Sequence, residues 1–304
     1  MNLFVTGGAG FVGHYLVNYL ISKGHSITVI DNLCRGKIEN LSNIKNQIAF
    51  QKVDIRDFNT LEKLIKNVDG VFHEAALTVV DESFIKKDEY HDVNVRGTEN
   101  ILKLAKKFGF KVVYASSSSV YGNTTKIPVN ENAERKPINP YGQTKLEDEL
   151  LVEKYAKNGV SVIGLRYFNI YGEGQSSSYA GVITKFIENI THSKPPVIYG
   201  NGSQVRDFVF VGDVVRANLM AMESKIDYAF INIGSGIAIS ILELAKLMIK
   251  SAGLHLKPIF TKPSEGDIKL SQADISLAKE LLKWKPKTTL QDWLACTLSR
   301  SGIN

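Results

Sequence analysis

The chain has 304 residues, of which 44% are hydrophobic and 22% are charged, and its formal net charge is +6. This composition is that of an ordinary globular protein and excludes an intrinsically disordered chain. The basic residues are spread without a basic block, which argues against nucleic-acid binding, and no apolar run approaches the roughly 20 residues of a membrane span.

The cysteine and histidine content argues against a metal site. Cys34 and Cys296 are the two cysteines, and neither lies in a CxxC or Cys/His spacing. They are too few for a disulfide framework, and the six histidines form no HExxH or HxH pair. A strand predicted almost at Met1 leaves no room for a secretion signal. We therefore expect a cytoplasmic protein without a structural metal.

Short β-branched runs alternate with helical patterns through the first half of the chain. The predicted strands are NLFVT, SITVID, IAFQKV, VDGVFHEA, KVVYAS and VSVIGLRY, with a later one, AFINI. This alternation predicts an α/β fold with a doubly wound parallel sheet, whose ligands lie beyond the carboxyl ends of the strands. We predict a nucleotide-binding domain over 1–170, to which the strand near 228–234 returns, and a smaller, interleaved C-terminal α/β substrate domain over 171–304.

A glycine-rich loop separates the first strand from the first helix. In NLFVTGGAGFVGHYL, the glycines Gly7, Gly10 and Gly13 would let the backbone approach a pyrophosphate at the helix N-terminus. Asp31 ends the second strand about twenty residues later, where a carboxylate accepts hydrogen bonds from the adenosine ribose. Because this carboxylate repels a 2′-phosphate, NAD is favoured over NADP, although basic residues follow in CRGK.

The segment NPYGQTK combines a helix start with a tyrosine and a lysine. Asn139 is the predicted N-cap and Pro140 the first helical residue, so Tyr141 and Lys145 lie one turn apart on the same face. Because a nearby ammonium favours the phenolate, Tyr141 is a candidate general base. By itself such a pair is more commonly an ordinary surface pair. The dinucleotide loop and the serine run ASSSSVYG, in the predicted order upstream, favour the catalytic interpretation.

Several motifs follow one another in a fixed order over nearly the whole chain: TGGAGFVG, IDNLCRGK, HEAA, SSSSVYG, NPYGQTK, LRYFNIYG and VRDFVFVGDV. In this order they resemble the extended short-chain dehydrogenase/reductase family, and most closely its UDP-galactose/UDP-glucose 4-epimerases. The resemblance implies a Rossmann-type domain with tightly bound NAD and a UDP-sugar substrate. It also implies a homodimer formed through the helices around 93–108 and 141–157.

Carried over motif by motif, the resemblance assigns a role to individual residues. The implied catalytic residues are Ser117, Tyr141 and Lys145. The dinucleotide is expected to contact Gly7, Gly10, Phe11, Val12, Gly13, Asp31, Asn32, Asp54, Ile55, Ala75, Asn94 and Tyr167, together with Tyr141 and Lys145. The nucleotide sugar is expected to contact Ser117, Ser118, Asn169, Tyr199, Arg206, Asp267 and Ser271. No metal is implied.

The positions after Ser117 distinguish reactions within the family. Dehydratases and decarboxylases carry acidic residues there, whereas this chain has Ser118 and Ser119. The resemblance therefore implies oxidation at C4, turning of a 4-keto sugar, and reduction on its other face with no group lost. Ser271 stands where a tyrosine narrows the sugar pocket in some relatives, so UDP-GlcNAc and UDP-GalNAc are expected substrates beside UDP-glucose and UDP-galactose.

Two features leave alternatives open. The family arginine three residues before the aspartate of GD is Ser264 here, with Lys262 as a substitute charge, and Arg206 has an ion pair with Asp207 as its structural alternative. A 4-keto sugar reductase using NADPH shares the same catalytic pair, but Asp31 argues against it. A non-catalytic dinucleotide sensor is disfavoured because Tyr141 and its lysine are intact.

Overall fold

The computed structural model describes residues 1–175, 181–263 and 266–300, and a seven-stranded sheet is its largest element. The strands of this sheet are β1 Asn2–Thr6, β2 Ser26–Ile30, β3 Ile48–Gln51, β4 Gly70–His73, β5 Lys111–Ser117, β6 Val162–Tyr167 and β10 Tyr228–Ile233. Their spatial order is β10-β6-β5-β4-β1-β2-β3, and every neighbouring pair is parallel. The predicted α/β class with a doubly wound parallel sheet is confirmed.

Helices cover both faces of this sheet. They are α1 Phe11–Ser22, α2 Phe58–Leu64, α3 Val80–Ile85, α4 Lys87–Tyr90, α5 Gly97–Phe108, α6 Pro140–Ala156, α8 Val211–Glu223 and α10 Ser276–Leu282. One apolar layer is formed by α1, α8 and α10, and the other by α2, α5 and α6. Because both faces are covered, the central strands are apolar and buried nearly throughout. Among the described helices, none has both the length and the apolar character needed to cross a membrane.

The second half of the chain builds a smaller unit with its own core. A three-stranded sheet contains β7 Asn169–Tyr171, β9 Val205–Phe210 and β11 Ala238–Ser240, and a parallel pair contains β8 Val197–Tyr199 and β12 Ile259–Thr261. These pack with α7 Val182–Thr191, α9 Ile241–Ser251 and α11 Leu290–Arg300. Meanwhile β10, α8 and α10 return to the large sheet, so the two halves interleave. The boundary between 170 and 171 stays a prediction.

A buried carboxylate joins α6 to the ends of β5 and β6. Glu149 is fully buried and accepts two hydrogen bonds of 2.8 Å from the guanidinium of Arg166. It also accepts a 2.6 Å hydrogen bond from Ser116 Oγ and a 3.0 Å one from Arg135 Nη1. Since α6 carries Tyr141 near its start, this network sets the position of the helix relative to the two strands.

Replacing Glu149 by alanine should lower the free energy of unfolding by about 3 to 5 kcal/mol, because Arg166 would stay buried without its carboxylate. Urea denaturation measures the change. Glu153→Ala is the matched control: Glu153 lies one turn along α6, pairs with Arg135 at 2.9 Å and is partly exposed, so its loss should cost under about 1 kcal/mol. Equal losses in the two variants would contradict an anchoring role for Glu149.

Candidate active site

A cavity of about 970 Å³ opens at the carboxyl ends of the central strands. Residues that follow β1, β2, β4, β5 and β6 all contribute to its wall, among them Gly7, Asp31, Glu74, Ser118 and Phe168. Parallel strands bring their carboxyl ends to one edge, which is where doubly wound proteins bind ligands. The volume is near the upper end of the usual range for ligand pockets.

The glycine-rich loop forms one wall of the cavity, through Gly7, Gly10, Phe11, Val12 and Gly13. Gly7 has a φ of +69°, and a Cβ built on Gly13 would lie only 2.1 Å from the Gly7 carbonyl oxygen. Gly10 is the N-cap of α1 and, as a glycine, has no side chain that could accept a hydrogen bond from the first turn of the helix. The N–H groups of the first turn and the positive end of the helix dipole are therefore suited to an anion such as a diphosphate.

Asp31 lies at the end of β2 and lines the same cavity. Its two carboxylate oxygens accept hydrogen bonds from the N–H groups of Ala9, at 3.0 Å, and Leu33, at 2.7 Å. Burial raises the pKa of Asp31, while these two hydrogen bonds lower it in part. Arg35 and Lys37, from the loop after β2, both line the cavity, and Arg35 forms an ion pair with Glu82 of α3. One of the two positive charges that a 2′-phosphate could use is thus already engaged by a carboxylate.

Asn32, Asp54 and Ile55 are further expected contacts of the dinucleotide, of which Asn32 and Ile55 line the cavity and Asp54 does not. Asp54 accepts a 2.8 Å hydrogen bond from Asn32 Nδ2 and forms an ion pair with Arg56 at 2.8 Å. The hydrogen bonds from Arg56 hold the pKa of Asp54 well below its ordinary value. Asp54 therefore supports Asn32 from behind the cavity wall.

Ala75 lines the cavity, whereas Asn94, also expected there, is fully buried behind the wall. The Asn94 side chain accepts a 2.8 Å hydrogen bond from Leu77 N–H and donates a 3.0 Å one to Leu77 O. It also donates a 3.0 Å hydrogen bond to Thr144 Oγ1 on α6. Asn94 thus ties the wall at Leu77 to the helix that carries the candidate catalytic pair.

Helix α6 begins as its sequence predicts. Asn139 is the N-cap, and its side chain accepts a 2.8 Å hydrogen bond from Gly142 N–H, with Pro140 as the first helical residue. Tyr141 and Lys145 both line the cavity, although each is at least 90% buried. The backbone N–H of Tyr141 also donates a 3.2 Å hydrogen bond to Ser83 Oγ of α3. The cap and this contact fix the first turn at the cavity edge.

The serine run lies opposite, where β5 ends. Ser117 is the last residue of the strand and the N-cap of a short 3₁₀ turn over Ser118–Tyr121, and its Oγ accepts a 3.1 Å hydrogen bond from the N–H of Ser119. Ser117, Ser118 and Ser119 all line the cavity. The hydroxyl of Ser117 and the phenol of Tyr141 therefore belong to one site.

Sequence reasoning missed an acidic residue in the cavity wall. Glu74 directly follows β4 and accepts a 2.9 Å hydrogen bond from the hydroxyl of Tyr167, which also lines the cavity as expected. Burial raises the pKa of Glu74 to about 7. A charged residue placed immediately after a central strand, as in HEAA, was the signal that could have identified it.

The substrate half of the cavity contains Asn169, Arg206, Asp267 and Ser271. Ser271 is small and buried, with its N–H donating a 3.1 Å hydrogen bond to Val205 O beside β9. Tyr199, expected near the uracil, is 49% exposed on β8 and is not part of the cavity wall.

Arg206 pairs with Asp267, and the alternative pairing with Asp207 is wrong. Asp207 is fully buried and accepts hydrogen bonds from the N–H groups of Ser235, Gly236 and Ala273 instead. Because strand neighbours point to opposite faces, Arg206 faces the cavity while Asp207 faces the core. Ser264 lies outside the described residues, and so do 176–180, most of the serine-rich segment QSSSYAG, for which the sequence predicts an active-site lid.

Comparison with known proteins shows which family this chain resembles. Residues 3–234 match the model of the NAD dependent epimerase/dehydratase family. The UDP-N-acetyl-alpha-D-glucosaminuronate decarboxylase of Bacillus cytotoxicus is 34% identical over 307 residues, which cover 97% of this chain and 95% of that relative.

Two solved structures are similar over almost their whole length. UDP-glucose 4-epimerase of Thermotoga maritima, with UDP-glucose, is 35% identical and superposes with a TM-score of 0.94 over 100% of both chains. UDP-N-acetylglucosamine 4-epimerase of Methanobrevibacter ruminantium, in complex with UDP-N-acetylmuramic acid, is also 35% identical, with a TM-score of 0.92 over 98% of this chain and 97% of that one. Together with the family match, they confirm the resemblance read from the motifs and NAD as the cofactor. This chain belongs to the NAD dependent epimerase/dehydratase family.

Proposed function

We propose that this protein is a 4-epimerase of UDP-hexoses, which interconverts UDP-glucose and UDP-galactose and also accepts their N-acetylated counterparts. Membership in the family makes it an enzyme that acts on UDP sugars with NAD. The observation that carries the finer proposal is the convergence of Ser117, Tyr141 and Lys145 on one cavity that also contains the glycine loop and Asp31.

The side chains of this cavity divide the work of a reversible oxidation at C4. Bound NAD supplies the acceptor, and later the donor, of the hydride. Tyr141 takes the proton of the 4-hydroxyl and later returns it, and Ser117 hydrogen-bonds the same oxygen. The ammonium of Lys145 favours the phenolate form of Tyr141. Arg206 binds a diphosphate oxygen in place of Asp267, so the nucleotide stays anchored while the sugar turns.

The residues beyond Ser117 support epimerisation over elimination or decarboxylation. Ser118 and Ser119 stand where dehydratases and decarboxylases carry acids, and both line the cavity. A hydroxyl is too weak an acid to assist loss of water or of a carboxyl group. The oxidised sugar therefore has reduction as its forward path, on either face.

The direct test supplies the enzyme, purified with its retained NAD, with UDP-galactose and no added cofactor. We expect UDP-glucose to form with no net change in nicotinamide absorbance, because hydride taken from C4 returns to C4. Chromatography of the nucleotide sugars measures the product. A requirement for added NADPH in stoichiometric amounts would instead identify a 4-keto sugar reductase.

Tyr141→Phe should lower kcat by about 10² to 10⁴, since proton transfer at C4 loses its base. Binding of NAD and of UDP sugar should change little, because the aromatic ring is retained, and calorimetric titration checks this. Full biological effect of the inactive variant in cells would support the dinucleotide-sensing alternative instead.

Ser271→Tyr should remove activity on UDP-GlcNAc while activity on UDP-glucose largely persists, because the added ring occupies the volume that a 2-acetamido group needs. The ratio of kcat/KM for the two substrates measures the effect. Ser271→Ala, which adds no volume, is the control and should leave the ratio unchanged. Equal losses on both sugars in the tyrosine variant would contradict this assignment of the pocket.

We also propose that the protein is a homodimer and that it is cytoplasmic. The two helices expected at the dimer contact, α5 and α6, pack against each other within one subunit. On its outer side, α6 leaves Leu150 50% exposed. Light scattering of the purified protein measures the oligomeric state directly.

A further inference from the structure

The ammonium of Lys145 is buried beside a carboxylate that no role assigned so far uses. Only 3% of the Lys145 side chain is exposed, and its Nζ lies 3.3 Å from Asp148 Oδ2, one turn along α6. The same Nζ lies 5.0 Å from the centroid of the Tyr114 ring. A buried ammonium requires a compensating partner, and Asp148 supplies the negative charge.

Asp148 is fully buried, with partners from two other elements. The Tyr114 hydroxyl of β5 donates a 3.2 Å hydrogen bond to Oδ2, and Thr98 of α5 faces the same carboxyl group. Burial raises the pKa of Asp148 to about 7, although Lys145 and the two hydroxyls lower it in part. The charge beside the ammonium therefore changes close to neutral pH.

The other ionisable groups around this pair behave differently. His73 of β4 is enclosed by hydrogen bonds to Thr6, at 2.8 Å, and Thr98, at 3.0 Å, and burial lowers its pKa to about 3, so it is neutral near pH 7. Glu74, whose pKa is raised to about 7, faces Lys145 from the cavity without a hydrogen bond to it among the described contacts. Glu149 and Tyr141 face the Tyr114 phenol. Asp148 is the carboxylate in direct contact with the ammonium.

We infer that Asp148 is a positioning residue that holds the Lys145 ammonium and, through its own charge, sets how strongly that ammonium favours the phenolate of Tyr141. An ionised Asp148 cancels part of the positive field at Tyr141, because opposite charges at 3.3 Å act at a distance nearly as a dipole. A neutral Asp148 leaves the field of Lys145 at full strength. This inference rests on the proposed function, in which Tyr141 is the base.

Asp148→Asn isolates the charge, since the amide oxygen can still accept a hydrogen bond from Lys145. With the field of Lys145 uncompensated, Tyr141 should lose its proton more readily. The pH at which kcat falls to half on the acid side should then move down by at most about one unit, because Asp148 is only partly ionised near its pKa of about 7. An ultraviolet difference titration of tyrosinate, taken against the same protein with Tyr141→Phe added, should move in the same direction without any turnover.

Two further variants separate this effect from a structural one. Glu147→Gln removes a carboxylate from the same helix, but the Glu147 side chain is 33% exposed and pairs with His91 at 3.2 Å. Solvent screening should therefore leave the acid limb of the pH profile, where kcat falls as the pH is lowered, in place. Tyr114→Phe removes a hydrogen bond that favours the charged form of Asp148. It should shift the limb in the direction of Asp148→Asn by a smaller amount, and by nothing when Asp148 is already asparagine.

An acid limb and a tyrosinate titration that stay in place in folded Asp148→Asn would overturn the inference and leave Asp148 a packing residue. If that variant does not fold, an unchanged limb in Tyr114→Phe overturns it equally. Failure of the proposed function gives a different result. Full activity of Tyr141→Phe would show that Tyr141 is not the base, whatever the effect of Asp148.

Discussion

The buried contact between Glu149 and Arg166 is the interaction on which the site depends. It joins α6, which carries the tyrosine and lysine of the candidate catalytic pair, to β6, and through Ser116 to the strand that ends in Ser117. A buried ion pair contributes little net stability unless its hydrogen bonds are complete. Glu149 meets that condition with two arginines and one hydroxyl, and this exact pairing fixes the helix at one register against the strands.

The two adjacent acidic residues on α6, Asp148 and Glu149, therefore have different partners and different roles. Glu149 and Asp148 are both fully buried, yet Glu149 faces two guanidinium groups while Asp148 faces one ammonium and two hydroxyls. Burial raises the pKa of Asp148 to about 7, and the donors that face its carboxyl group lower it only in part. Glu149 joins the helix to the strands, whereas Asp148 lies beside the ammonium of Lys145.

Two arginines that line the cavity, one on each side, are held in ion pairs. Arg35 is paired with Glu82 near the expected adenosine end, and Arg206 is paired with Asp267 in the substrate half. A pyrophosphate on the glycine loop needs neither, because the N-terminus of α1 offers main-chain N–H groups. On the substrate side, the proposed binding of a diphosphate by Arg206 would have to displace Asp267, and the arginine would then exchange one anionic partner for another.

Local patterns in the chain were sufficient for the sheet class, the glycine loop, the helix start at Asn139 and the family, because each depends on residues close together in sequence or on the order of motifs. The partners of buried charges were not predictable in this way. Arg206 pairs with Asp267 rather than with its neighbour Asp207, and Asn94 supports the cavity wall instead of lining it. The sequence did not predict the places of Glu74 in the cavity wall and of Asp148 beside Lys145. The spacing of Asp148 from Lys145 on one helix was a readable signal, but its burial was not. Which charge meets which depends on how separate elements pack, and packing also sets the desolvation that decides the protonation state of each group.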